Sequence, residues 1–261
     1  MSEVIRPKEL IRLRHHSVRR SVATTEIPPN IEAAYDLAAS TIGYLGTQVA
    51  GWKLGATTAG TRRTFATNDI YFGALLPQEI WASTESGSPP APPFLQGEAE
   101  IAFRLAVNVA SEDSEAALAG PATELFDAWA PAIEAPYSCL DNIAEVGLRA
   151  LLMDRCAAGA LYLGTTRPNI HDDAIEQMLE IFADGARVAQ GNAKTALLMT
   201  PLEAALGFLK LAAAKGAQVR RGQWISTGGI TPCVALPFLS PIRLVLGGQT
   251  EFNLVVQGPT Q

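Results

Sequence analysis

The segment Glu98-Ala99-Glu100-Ile101-Ala102-Phe103-Arg104-Leu105-Ala106-Val107 restricts the fold more than any other stretch of this chain. Its odd positions from 99 to 107 are all apolar, while Glu98, Glu100 and Arg104 share the other parity. Successive side chains of a strand point to opposite faces, so this alternation predicts a half-buried strand with two carboxylates on one face. Positions i and i+2 of a strand lie roughly 7 Å apart at Cα, close enough for two carboxylates to converge on one cation and to repel each other without it. A Glu-x-Glu by itself is also what an ordinary solvated strand face carries.

A third carboxylate changes the weighing. Glu134 sits in Trp129-Ala130-Pro131-Ala132-Ile133-Glu134-Ala135-Pro136, an apolar extended segment bounded by prolines. A carboxylate buried there needs a partner, either a metal ion or an Arg or Lys. An all-carboxylate set favours a hard cation, Mg2+ or Mn2+.

Other chemistries find no support. Twenty basic against 26 acidic residues give a net charge of -6, with no basic face for nucleic acid, so a small molecule is the expected ligand. Cys139, Cys156 and Cys233 are widely spaced, with no CxxC, which argues against disulfides or a thiolate zinc site. His15 and His16 lie in a basic helical stretch and His171 in a polar turn, without metal-motif spacing. There is no GxSxG, HExxH or GxGxxG after a strand. The opening residues have no apolar signal core, and no apolar run approaches the roughly 18 residues of a membrane span; a cytoplasmic protein is expected.

Local patterns place the elements. Residues 7 to 20 have helical spacing with the basic side outward, and a second helix follows Pro28-Pro29 and ends before Gly51. Gln48 to Leu54 reads as a strand with Val49, Gly51 and Lys53 on one face and Ala50, Trp52 and Leu54 on the other. The following Gly-Ala-Thr-Thr-Ala-Gly has the outline of a phosphate loop but lacks its Lys. Residues 86 to 93, SGSPPAPP, form an extended loop by proline chemistry. Thr200-Pro201-Leu202-Glu203 combines an N-cap, a proline at N1 and a capping-box Glu, and opens a helix to about Gly216. Asp184-Gly185 within 175 to 189 and Gly247-Gly248 between 242 and 256 each predict a hairpin, although Ile175, Met178 and Leu179 also suit a helix.

Taken in order, Gly-Trp-Lys-Leu-Gly at 51 to 55, Tyr-Phe-Gly-Ala-Leu-Leu at 71 to 76, Glu-Ala-Glu-Ile-Ala-Phe at 98 to 103, Pro-Ala-Ile-Glu-Ala at 131 to 135 and Ser-Thr-Gly-Gly at 226 to 229 resemble the hydratase/decarboxylase branch of the fumarylacetoacetate hydrolase superfamily. The resemblance runs from about residue 30 to the C-terminus. It implies a strand-rich α+β fold whose mixed sheet rolls up to form the pocket, with an N-terminal helical segment over 1–47 and a catalytic domain over 48–261. It also implies Mg2+ or Mn2+ on Glu98, Glu100 and Glu134, with Lys53 beside a 2-oxo acid, a candidate for proton transfer or for orienting the substrate carboxylate. A metal and burial would favour neutral Lys53, and glutamate neighbours would oppose that. Tyr71 is expected at the pocket edge, and Thr227 against the substrate carboxylate.

The implied reaction is addition of water to a 2-hydroxy-2,4-dienoate, giving a 4-hydroxy-2-oxo acid. Decarboxylation of a 2-oxo-3-enedioate, carbon–carbon hydrolysis of an acylpyruvate, and an inactive partner subunit stay open. The family implies a homo-oligomer, with association to a related subunit as a further option. Two departures bear on the substrate. Arg155 stands where relatives commonly carry an amide, and would suit a second acidic group or equally a surface pair with Asp154 or Glu145; Tyr71 replaces an Asp before Phe-Gly.

Overall fold

A computed structural model describes residues 4–84, 88–109, 121–168, 170 and 175–258. His171 therefore lies outside the described residues. Two helices open the chain, α1 (Pro7–His15) and α2 (Ile31–Leu45); α2 is capped by the Asn30 side chain and closed by Gly46 at φ 61°. Then come β1 (Gly51–Gly55), α3 (Ala59–Phe65), β2 (Tyr71–Leu75), β3 (Ile80–Ala82), β4 (Gln96–Leu105), β5 (Phe126–Ala135) and β6 (Ala160–Leu163). The remainder carries β7 (Leu179–Ala183), β8 (Ala186–Gly191), a helix over Pro201–Ala214, β9 (Trp224–Ser226), β10 (Val234–Ala235), β11 (Pro241–Leu246) and β12 (Gln249–Val255).

The strands form a curled mixed sheet ordered β2-β1-β9-β4-β5-β6-β3, with β10 pairing to β4, and an antiparallel sheet ordered β12-β11-β7-β8. Both predicted hairpins form. Their tips, Asp184-Gly185 and Gly247-Gly248, all have positive φ, as a two-residue turn matched to strand twist requires. Thr200 and Glu203 close a reciprocal capping box at the start of the Pro201–Ala214 helix. Residues 88 to 93 are free of helix and strand.

Two expectations need correction. The centre of β4 is buried on both faces: Glu100 and Ala102, on the face predicted to be wet, are as inaccessible as Ile101 and Phe103, while Glu98 and Arg104 stay partly exposed. The sheet curls over that face, and Ala102, Ala130, Ala132 and Ala158 pack there with Leu75, Leu161 and Leu163. Small side chains allow that close approach, and alternation alone does not announce it. Nor does α1 keep all its arginines outward. Arg14 turns in to Asp154, with Nε 2.5 Å from Oδ1, and also donates to the backbone oxygens of Tyr137, Asp154 and Ala158.

Arg14 thereby grips an unusual turn. Arg155, Cys156 and Ala157 all have positive φ, at 53°, 54° and 56°, with no glycine among them. Each left-handed non-glycine residue costs roughly 1–2 kcal/mol, so the turn persists only because its surroundings hold it. Arg155 donates to Glu79 through both terminal nitrogens, at 2.7 and 2.8 Å, and to Ala74 O. The Cys156 thiol donates to Phe72 O. Gly73 of β2 lies against the turn so closely that a Cβ there would stand 2.0 Å from Arg155 O.

Candidate metal centre

Glu98 and Glu100 project from β4, and Glu134 from β5. In the antiparallel β4–β5 pair Glu98 faces Glu134 directly, and Glu100 faces Ala132. The i,i+2 spacing and the cross-strand pairing thus bring three carboxylates together, each offering an oxygen within 4.8 Å of the others. Glu100 and Glu134 are both 0% exposed, and Glu98 is half-buried.

The available oxygens are unequal. Glu100 Oε2 accepts from Ser226 Oγ at 2.5 Å and from Gly228 N at 2.8 Å, whereas Glu100 Oε1 and both oxygens of Glu134 have no hydrogen-bond donor. Three buried or half-buried carboxylates converging on one point, with a single lysine beside them, form an arrangement that costs free energy unless they are protonated or bound to a further cation. The donor set is all oxygen, which fits Mg2+ or Mn2+. Gly229 completes the packing, because a Cβ there would meet Glu98 Oε2 at 2.2 Å.

Electrostatics follow from that crowding. Burial raises Glu98, and Lys53 opposes the rise; burial raises Glu100 well above the ordinary range, reinforced by Glu98 and Glu134. Glu134 is pushed up to about 7, chiefly by burial, with Lys53 pulling it back. Lys53 leaves the middle of β1 on the site face and places Nζ 3.4 Å from Glu134 Oε2. Burial alone would lower the Lys53 pKa, but Glu134, then Glu98 and Glu100, outweigh it and the net direction is up. Of the opposing influences foreseen on Lys53, the glutamates therefore dominate among this chain's own residues.

Beside Glu98 opens a cavity of about 470 Å³ whose lining includes Lys53, Tyr71, Glu98, Thr57 and Gly229. Its volume falls in the range of small-molecule sites. Tyr71 packs its ring over Gly55 and borders the cavity, and burial raises its phenol. Cys233 is exposed at the mouth, and desolvation and then Glu98 raise its thiol to about 12.

Two of the predicted residues are placed elsewhere. The Thr227 hydroxyl donates to Ile101 O and is fully buried, outside the cavity lining; its neighbours Ser226 and Gly228 orient Glu100 instead. The Arg155 guanidinium is engaged with Glu79 and borders a different cavity, on the Trp52 side of β1. Sequence reading missed Thr57 and Ser226. Thr57 belonged to the loop tested only against a phosphate motif, and Ser226 could be preferred over Thr227 only through its register with Ala102.

No family model and no curated protein sequence matches this chain. Solved structures do. The 4-oxalocrotonate decarboxylase from Pseudomonas putida G7, complexed with magnesium and adipate, is similar over 98% of this chain and 100% of its own, at 17% identity and a TM-score of 0.76. A putative fumarylacetoacetate hydrolase family protein from Yersinia pestis CO92 is similar over 80% of this chain and 94% of its own, at 12% identity and a TM-score of 0.58. The fumarylpyruvate hydrolase from Pseudomonas aeruginosa, in complex with Mn2+ and pyruvate, is similar over 80% and 89%, at 12% identity and a TM-score of 0.55. The strand-rich mixed α+β fold expected from the short motifs is thus the fold found, and it is shared with these solved structures.

Proposed function

We propose that this chain is a divalent-metal-dependent lyase that adds water to a 2-hydroxy-2,4-dienoate, giving a 4-hydroxy-2-oxo acid. The observation that carries the reading is the convergence of Glu98, Glu100 and Glu134, with donor-free Oε1 atoms on Glu100 and Glu134 and Lys53 paired to Glu134 Oε2, beside a cavity that Glu98 and Lys53 line. Glu98, Glu100 and Glu134 would hold Mg2+ or Mn2+; when bound, the ion supplies Lewis acidity toward a 2-oxo acid's carboxylate and C2 oxygens. Similarity to structures complexed with magnesium or Mn2+ supports that assignment.

The chain's own groups then divide the proton work. Ketonisation takes the proton from the C2 hydroxyl and adds one at C5, moving the double bond to C3–C4. Water next adds across that bond, hydroxide at C4 and a proton at C3. Lys53, protonated and held against Glu134, is the carrier that can deliver one proton and accept another. Tyr71 and Thr57 border the same space and orient the substrate.

Decarboxylation of a 2-oxo-3-enedioate is the second reading, favoured by the similarity to 4-oxalocrotonate decarboxylase over nearly the whole chain. Following ultraviolet loss of 2-hydroxypenta-2,4-dienoate and of a 2-oxo-3-enedioate, with product masses, separates the two: gain of water supports hydration, loss of carbon dioxide supports decarboxylation. Turnover of neither contradicts both. The same reading carries the expected homo-oligomer, for which exposed Ile31, Tyr44 and Leu45 on α2 offer apolar surface; light scattering after gel filtration measures it. Among the described residues no helix is long and apolar enough to cross a membrane.

A further inference from the structure

Beyond the carboxylate floor, the cavity is walled by Thr58, Thr61, Thr64, Ile230, Pro232 and Cys233. Among the described residues Lys53 is the single cation in its lining, and it stands beside Glu134. All 20 Lys and Arg residues of the sequence fall within the described residues, so those near the cavity can be followed one by one. Arg155 is bound bidentately by Glu79. Arg62 gives its Nε to Ala56 O and borders another cavity, and Arg63, beside Thr64 on α3, is exposed and outside the lining. Lys194 pairs with Glu176 at 3.0 Å. The charge that does line the cavity besides Lys53 is Glu98, an anion.

From this we infer that the site selects a 2-oxo acid whose far end is uncharged, a monocarboxylate rather than a dicarboxylate. The inference rests on the 2-oxo acid reading above. The substrate's own carboxylate is taken up at the floor, where Lys53 and the candidate metal position are. A second carboxylate would lie against hydroxyls and apolar side chains, without a counter-charge and facing Glu98. Removing a carboxylate from water without a cationic partner is unfavourable, while an alkyl or alkenyl end meets no such cost. Specificity would thus arise from what the wall withholds from the competing ligand.

The test uses the Mn2+-loaded full chain and two ligands of equal length, 2-oxohexanoate and 2-oxoadipate, titrated by calorimetry. The expected result is that 2-oxohexanoate binds about tenfold or more tightly than 2-oxoadipate. Thr64→Arg, which places a cation on the wall, should raise affinity for 2-oxoadipate and narrow that ratio. Equal or tighter binding of 2-oxoadipate by the wild-type chain overturns the inference while leaving the 2-oxo acid reading intact. Binding of Mn2+ with neither 2-oxo acid overturns both. Because the wild-type comparison needs no variant, a Thr64→Arg protein that does not fold leaves the outcome decided.

Discussion

Glu98 and Glu134 stand directly opposite each other across the β4–β5 pair, two like charges at a cross-strand position where one sign of charge is normally avoided. With Glu100 two residues along β4 on the same face, the sheet concentrates three carboxylates where a cation can offset their repulsion. A purely structural role and a metal-holding role make opposite forecasts for their neutral isosteres.

In the metal-free chain, Glu134→Gln should relieve repulsion and raise the melting temperature. A gain of about 1 kcal/mol corresponds to roughly 2–4 °C for a chain of this size. The same variant should lose the stabilisation that Mn2+ gives the wild type. Differential scanning fluorimetry with EDTA and with Mn2+ reads both; a lower melting temperature with an unchanged metal response would mean that Glu134 is a structural partner of Lys53.

The pH dependence has a definite sign. Glu134 is raised from the ordinary carboxylate value of 4.5 to about 7, first by burial, and Glu98 and Glu100 shift the same way. The folded state therefore binds these protons more tightly than the unfolded state. That contribution to stability is present below the unfolded pKa and is lost as pH rises through the folded one. The metal-free melting temperature should fall by several degrees between pH 5 and pH 8, and saturating Mn2+ should reverse the trend because the ion displaces those protons. Melts across that range check it, and a metal-free profile that rises with pH would contradict it.

Ser226 orients Glu100 through the 2.5 Å hydrogen bond to Oε2, which leaves Oε1 turned toward the site. Outer partners of metal ligands typically contribute 10–100-fold to affinity. Ser226→Ala should weaken Mn2+ binding by about tenfold or more, with a much smaller effect in Thr227→Val, since the Thr227 hydroxyl is committed to Ile101 O. Mn2+ titrations of the two variants compare them directly.

Arg14 and Asp154 form a buried pair that ties α1 to the left-handed turn at 155–157. Removing one partner of such a pair leaves an uncompensated charge and costs about 3–5 kcal/mol. Arg14→Met should therefore be strongly destabilised in urea unfolding, and Arg14→Met combined with Asp154→Asn should recover part of the loss. Equal stability of the two proteins would mean that the pair is not coupled.

Much of the metal centre was legible in the residues because its signals are local. Alternation put Glu98 and Glu100 on one face, a proline-bounded apolar run isolated Glu134, and strand parity aimed Lys53 away from Trp52. What was illegible depends on long-range pairing. Arg155 meets Glu79 across 76 residues of sequence, and Arg14 meets Asp154 across 140. No glycine marks the left-handed turn, so nothing local warned that Arg155 would point away from the cavity. Ser226 and Thr227 are chemically alike, and only the pairing of β9 with β4 decides which hydroxyl reaches Glu100. The burial of the Glu100 face depended on small alanines from three separate segments, a packing outcome that no single window contains.

The central claim is that Glu98, Glu100 and Glu134 form one divalent-metal site. Electron paramagnetic resonance titration of free Mn2+ with the purified, EDTA-treated chain measures it most directly. The account predicts saturable uptake of one ion per chain, abolished or weakened at least about tenfold in Glu100→Gln. Absence of uptake by the wild type, or the same uptake by wild type and Glu100→Gln, would contradict it.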